Sequence, residues 1–182
     1  PAYEIGVCLG FRRLLFRSAA ALGTNPFPAD TGSVTLPTLN ATNAAHNLTI
    51  VADENVTLEG NVGDGVGTDP GTLTIDFAQV GAGNDMDAQG SINAGDIIIR
   101  GTVASDDEIN LGNGKGIDDV TSLASVLIAD ANKVNVDDGV TVTAAGGDIS
   151  ITTNIGDIDL DGSGDVVTFT TTGGTGNIFL AS

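Results

Sequence analysis

Gly147-Asp148-Ile149-Ser150-Ile151 and Gly156-Asp157-Ile158-Asp159-Leu160 are one unit written twice, nine residues apart. Looser copies follow as Gly164-Asp165-Val166-Val167-Thr168-Phe169 and Gly176-Asn177-Ile178-Phe179-Leu180. Apolar side chains at every second position mark a half-buried strand, because successive side chains on a strand point to opposite faces. The Gly-Asp or Gly-Asn pair before each copy is turn chemistry. Strand and turn recurring at short intervals are the signature of a solenoid, barrel or sandwich.

Working outward, the same grammar reaches back to residue 34. Val34-Thr35-Leu36, Leu48-Thr49-Ile50, Val56-Thr57-Leu58 and Leu73-Thr74-Ile75 put threonine between two aliphatics, as a strand with one wet face prefers. Ile97-Ile98-Ile99, Ile109-Asn110-Leu111, Val126-Leu127-Ile128 and Val134-Asn135-Val136 continue it. Two strands with their turns occupy 18 residues from Val140 to Ile158 and 20 from there to Ile178, which fits one coil of a right-handed parallel β-helix. Coils stacked ~4.8 Å apart then predict roughly seven coils and a rod about 30 Å long. A β-sandwich is the alternative, since it too shows strands every 8–12 residues. Two-residue Asn-Gly hairpin turns are scarce, and repeated triplets favour the coil. On this spacing residues 59–72, 76–96 and 112–125 read as insertions emerging as loops, with a short helix over 118–125.

Composition agrees with thin, stacked layers: aromatics make up 4 % of the chain and tryptophan is absent, so the core must be built from small aliphatics. The formal charge of −18 disfavours binding to nucleic acid or to an anionic membrane surface. No apolar run approaches the ~20 residues needed to span a bilayer. A single cysteine, Cys8, allows no intrachain disulfide.

Residues 1–30 form a separate N-terminal segment ahead of the β-repeat domain 31–182. Tyr3, Ile5, Val7, Leu9 and Phe11 alternate strictly with Glu4, Gly6, Cys8 and Gly10, a strand pattern. Residues 12–22 are good helix formers ending at Gly23, and they predict a short helix. Three of the six basic residues are Arg12, Arg13 and Arg17; with Glu4 they leave +2 on residues 1–17 and −20 on the rest. Such a segment suits a cap over one end of a solenoid, whose terminal strands expose their edges. It equally suits a strand lent to a neighbouring subunit, with Tyr3, Ile5, Val7, Leu9 and Phe11 as the assembly residues.

The run Gly147–Leu180, GDISITTNIGDIDLDGSGDVVTFTTTGGTGNIFL, resembles the repeats of filamentous-haemagglutinin-like and autotransporter-type adhesins. These are large bacterial surface proteins built on a right-handed β-helix, and the likeness covers residues 48–182. It implies a secreted or cell-surface structural or adhesive role. The expected partners are neighbouring repeats, further copies, or a host-surface or glycan ligand. The alternatives are a filament subunit that polymerises through residues 3–11, and a polysaccharide-acting enzyme on the same scaffold.

Candidate chemistry is sparse. Asp157, Asp159, Asp161 and Asp165 follow the D-x-D-x-D-G pattern of a calcium loop, making Ca²⁺ the candidate cofactor, although Thr168 stands where such loops carry a bidentate glutamate. Gly81–Asp87 echoes a calcium-binding nonapeptide but occurs once and reads as a loop; Asp106-Asp107-Glu108 reads as turn and solubility residues. Beyond residue 17 the basic groups are Arg100, Lys115, Lys133 and His46, so an enzyme would have to work through Arg100 beside Asp96. His46 reads as a loop residue. Asn40, Asn47 and Asn55 head N-glycosylation sequons. The pairs Thr141/Thr143 and Thr170/Thr172 hint at a threonine ladder of the kind that binds ice.

Overall fold

A computed structural model describes residues 13–17, 32–41, 46–63, 69–77, 83–101, 106–112, 119–161 and 164–182. The described residues contain seventeen strands and no helix. The first, β1 (Arg13–Arg17), precedes six stacked coils. Coil one holds β2 (Val34–Leu36) and β3 (Asn47–Val51); coil two holds β4 (Val56–Leu58) and β5 (Thr72–Asp76). Coil three adds a third face: β6 (Asp85–Ala88), β7 (Ile92–Ala94) and β8 (Asp96–Arg100). Coil four is β9 (Glu108–Leu111), β10 (Val120–Ser122) and β11 (Val126–Ala131). Coil five is β12 (Lys133–Val136), β13 (Thr141–Ala144) and β14 (Ile149–Thr153). Coil six is β15 (Ile158–Leu160), β16 (Thr168–Thr171) and β17 (Ile178–Ala181).

Every strand pairs in parallel with its counterpart one coil away. Three sheets result: sheet A, β1-β3-β5-β8-β11-β14-β17; sheet B, β2-β4-β6-β9-β12-β15; and sheet C, β7-β10-β13-β16. Single bridges Leu39–Val62–Ile92 carry sheet C back to the first coil. From the first rung to the last these six coils make a β-solenoid of about five turns, ~24 Å along its axis at ~4.8 Å per turn.

The core is read directly from the alternation. In sheet B, Val56, Met86, Ile109 and Val134 stack in register, each fully buried. In sheet A the column is Ile50, Ile75, Ile99, Ile128 and Ile151, again all buried. Sheet C contributes the small residues Ala94, Ser122 and Ala144. Ser122 is tolerated inside because its hydroxyl donates to Gly95 O (2.6 Å) and accepts from Ala124 N–H (3.1 Å).

The corners explain the Gly-Asp units. Gly71, Gly95, Ala124, Gly147 and Gly176 occupy equivalent positions two residues before the inner residue that opens each sheet A strand. A Cβ on Gly95 would collide with the Gly71 carbonyl, and one on Gly176 with the Gly147 carbonyl, so at these two rungs the coils approach too closely for a side chain, whereas the rung between Gly95 and Gly147 accepts Ala124. The adjoining Asp tethers one coil to the next: Asp96 Oδ1 accepts Ser125 N–H (3.1 Å) and Asp148 Oδ1 accepts Asn177 N–H (2.7 Å). Asp107, itself fully buried, does the same for Asn84 N–H (3.1 Å). Part of the acidic composition is thus structural.

Five expectations are corrected. Gly147 leads into sheet A at the end of coil five and Gly156 into sheet B at the start of coil six, so the nine-residue repeat is the step between two neighbouring faces of a three-faced solenoid rather than half a coil. Successive coils lie 22 to 30 residues apart (Val34, Val56, Met86, Ile109, Val134, Ile158), giving six coils instead of seven. Residues 76–96 and 112–125 are not mere insertions: they contain β6, β7 and β10, short strands in which one larger inner residue (Met86, Ile92, Val120) is followed by a small one (Ala88, Ala94, Ser122). The helix expected over 118–125 is strand β10, in which Val120 and Ser122 turn inward. The helix expected over 12–22 is, at Arg13–Arg17, strand β1 paired in parallel with β3. There the free edge of the first sheet A strand outweighs helix propensity, because pairing satisfies an entire row of backbone groups. The candidate assembly residues Tyr3, Ile5, Val7, Leu9 and Phe11 lie outside the described residues.

Candidate functional site

The outward positions of the three sheets differ in chemistry. Sheet A presents Thr74, Ile98, Leu127, Ser150 and Phe179 in one column, in register with Thr49, which is buried. The next column holds the cross-coil pair Asp76–Arg100, with Nε–Oδ1 at 2.9 Å and Nη2–Oδ2 at 3.2 Å. Arg100 is thus engaged in a two-pronged ion pair on a flat face, and Asp96 serves the Ser125 amide instead. Sheet C presents Asn93, Thr121, Thr143 and Thr170 in register, with Thr141 above Thr168 beside them. Thr172, the partner expected for Thr170, lies beyond the strand and is exposed.

Sheet B carries the charge. Its outer face stacks Asp85, Glu108 and Lys133 in one column and Asp87, Asn110, Asn135 and Asp159 in the next. Asparagine stitches the second column together: Asn110 Nδ2 donates to Asp87 Oδ1 (2.9 Å), and Asn135 Nδ2 donates to Asn110 Oδ1 (2.7 Å) and Glu108 Oε2 (3.0 Å). Asp85 is held above the usual carboxylate range, first by burial and then by the charges of Asp87 and Glu108. A hydrogen bond from the Glu108 backbone opposes this only in part. Sequence reasoning misses this face because it reads Asp85 and Asp87 as loop residues and Glu108 as a turn residue. Their signal is Asp85-Met86-Asp87-Ala88, alternating as cleanly as the recognised triplets, and the position of Glu108 directly before the recognised strand Ile109-Asn110-Leu111.

The calcium candidates sit on the last coil. Asp157 immediately precedes β15, Asp159 lies at its centre and Asp161 follows it, all three exposed. Asp159 pairs with Lys133 (3.3 Å), and the Asp165 amide donates to Asp138 Oδ1. Asp157 and Asp159 therefore project ~6.6 Å apart along an extended strand rather than around a tight loop. Among the described residues no three His, Cys, Asp or Glu side chains converge to hold a metal ion.

An open groove of about 500 Å³ runs along the same coil, lined by Lys133, Asp157, Asp159, Leu160 and Leu180. Asn40, Asn47 and Asn55 are all exposed; Asn55 Oδ1 accepts the Asp85 amide (2.7 Å). His46 lies in the turn before β3, and its carbonyl accepts the Gly71 amide (2.9 Å). Among the described residues no helix is long and apolar enough to cross a membrane. The chain matches no protein-family model, no curated protein and no solved structure.

Proposed function

We propose that the chain is a structural rod, a segment or subunit of an extracellular or cell-surface assembly, which acts by presenting its outer faces. The observation that carries this reading is the partition of the solenoid. A continuous apolar core fills the interior from Leu36 to Ile151, while three outer faces display separate chemistries at one rung spacing. Such a body offers long, regular surfaces, one nearly neutral and one acidic, well suited to repeated weak contacts with a glycan or protein surface. The likeness of Gly147–Leu180 to adhesin repeats supports the same role.

The test is labelling of intact cells of the source organism with an antibody against the folded protein. Signal on unpermeabilised cells, removed by external protease, is the expected result. Signal that appears only after permeabilisation would overturn the surface assignment.

A further inference from the structure

The register that stacks apolar side chains inside the coils stacks charge outside them. Residues 18–182 carry 23 carboxylates against Arg100, Lys115 and Lys133, so 20 carboxylates are in excess however the three bases pair. Arg100 and Lys133 are already engaged, with Asp76 and Asp159. Several of the other carboxylates gather on sheet B. Asp85 stands directly opposite Glu108 one rung away, and Asp87 lies two residues along the same strand.

Folding creates this crowding. Asp85 and Glu108 are 23 residues apart in the chain, on the order of 25 Å when the chain is unfolded and flexible. Pairing of β6 with β9 brings their backbones to one rung, ~4.8 Å. Like charges directly opposite one another oppose the sheet that holds them. Asp85 registers the effect: burial first, and then the charges of Asp87 and Glu108, hold its carboxyl above the usual range. Relief inside the ladder comes from neutral groups. Asn110 donates to Asp87, Asn135 donates to Glu108, and Thr57 is the neighbour of Asp87 on the preceding coil. Lys133, in register with Glu108, turns its ammonium to Asp159 instead.

Dissolved ions act on what remains. At 0.1 M salt the Debye length is ~10 Å, about two rungs, so each carboxylate feels those above and below it. At 1 M it is ~3 Å, shorter than one rung, and the column no longer repels itself. We infer that the solenoid is built for a medium of high ionic strength: cations gathered diffusely over the acidic face of sheet B, without a coordinated site, help to keep it folded. This goes beyond the surface-rod reading and does not depend on it, since a saline exterior and a potassium-rich interior would serve alike.

Urea is uncharged and adds no screening of its own. Urea unfolding of the 182-residue protein at neutral pH, with a chelator present and followed by circular dichroism, tests the inference. Between about 0.05 M and about 1 M NaCl the ratio of folded to unfolded protein should rise. The expected rise is roughly tenfold or more, the sum of a few opposed like-charge pairs. KCl should act as NaCl does. The isosteric double variant Asp87→Asn, Glu108→Gln keeps both hydrogen-bond acceptors and removes two charges. In low salt it should unfold at higher urea than wild type, and it should gain less from added salt. Thr57→Lys sets a cation one rung from Asp87 and should flatten the salt response in the same way; it serves if the double variant does not fold.

A urea midpoint that salt leaves unmoved or lowers would overturn the inference. An undiminished salt response in the variants would overturn it too, by assigning the effect to stronger burial of apolar surface. A response to one of the two cations alone would replace the diffuse atmosphere with a selective site.

Discussion

Ile97-Ile98-Ile99 is the place where the solenoid register can be broken most informatively. Ile97 and Ile99 are fully buried, stacked between Leu73 and Val126 and between Ile75 and Ile128. Ile98 points outward, half-buried between Thr74 and Leu127. Ile99→Ala removes three carbons from the dry interior, about 2.4 kcal/mol at ~0.8 kcal/mol each. A neighbour fixed by rungs above and below cannot collapse into the gap, so a cavity contribution raises the cost to about 3–4 kcal/mol. Ile98→Ala, with solvent already on one side, should cost under about 1 kcal/mol. In a domain of this size 1 kcal/mol shifts the melting temperature by roughly 2–4 °C, so Ile99→Ala should melt about 6–16 °C below wild type and Ile98→Ala within about 4 °C of it. Thermal and urea unfolding followed by circular dichroism at the β-sheet minimum reads both, and Ile99→Val, at about 0.5–1.5 kcal/mol, covers the case in which alanine abolishes folding. Equal losses, or a larger loss from Ile98→Ala, would refute the register, because a one-residue slip exchanges the two faces.

Gly95→Ala should destabilise by about 1–3 kcal/mol, the range for forcing atoms into a packed site, because its Cβ would collide with the Gly71 carbonyl; an unchanged urea midpoint would show that the corner can open. Asp85 has a raised folded-state pKa, so the folded protein holds that proton more tightly than the unfolded chain and its ionised form opposes folding. That penalty is complete above the raised pKa and vanishes as pH falls below the ordinary aspartate value, 3.8; Asp85→Asn should therefore stabilise at neutral pH, with an advantage that fades in acid, and a pH-independent difference would contradict it. Any calcium held by Asp157, Asp159, Asp161 and Asp165 should bind only in the ~10⁻⁴–10⁻³ M class of weakly organised sites; micromolar binding by calorimetry, lost in Asp159→Asn, would show that the loop closes around the ion.

Local periodicity was enough to declare that residues 34 onward form strands with one apolar face, and that small aliphatics fill a thin core. Those properties follow from the backbone pleat and need no knowledge of which strand meets which. Residue order could not show how many faces make a coil. Gly147-Asp148 and Gly156-Asp157 look identical in sequence, yet one turns the chain into sheet A and the other into sheet B, a difference set by which earlier strand each finds already in place. The strands with quiet inner residues, Met86 and Ala88 or Val120 and Ser122, became visible only through their in-register neighbours Val56, Leu58, Ile92 and Ala94. At Arg13–Arg17 a helix-prone sequence pairs as a strand because the free edge of β3 offers its backbone partners that only the assembled sheet can supply. The acidic ladder is likewise tertiary: Asp87, Asn110 and Asn135 are separated by 23 and 25 residues in the chain and meet only because the coil returns to the same face. Sequence determined what each strand would bury; the closing of the coils decided which side chains share a surface.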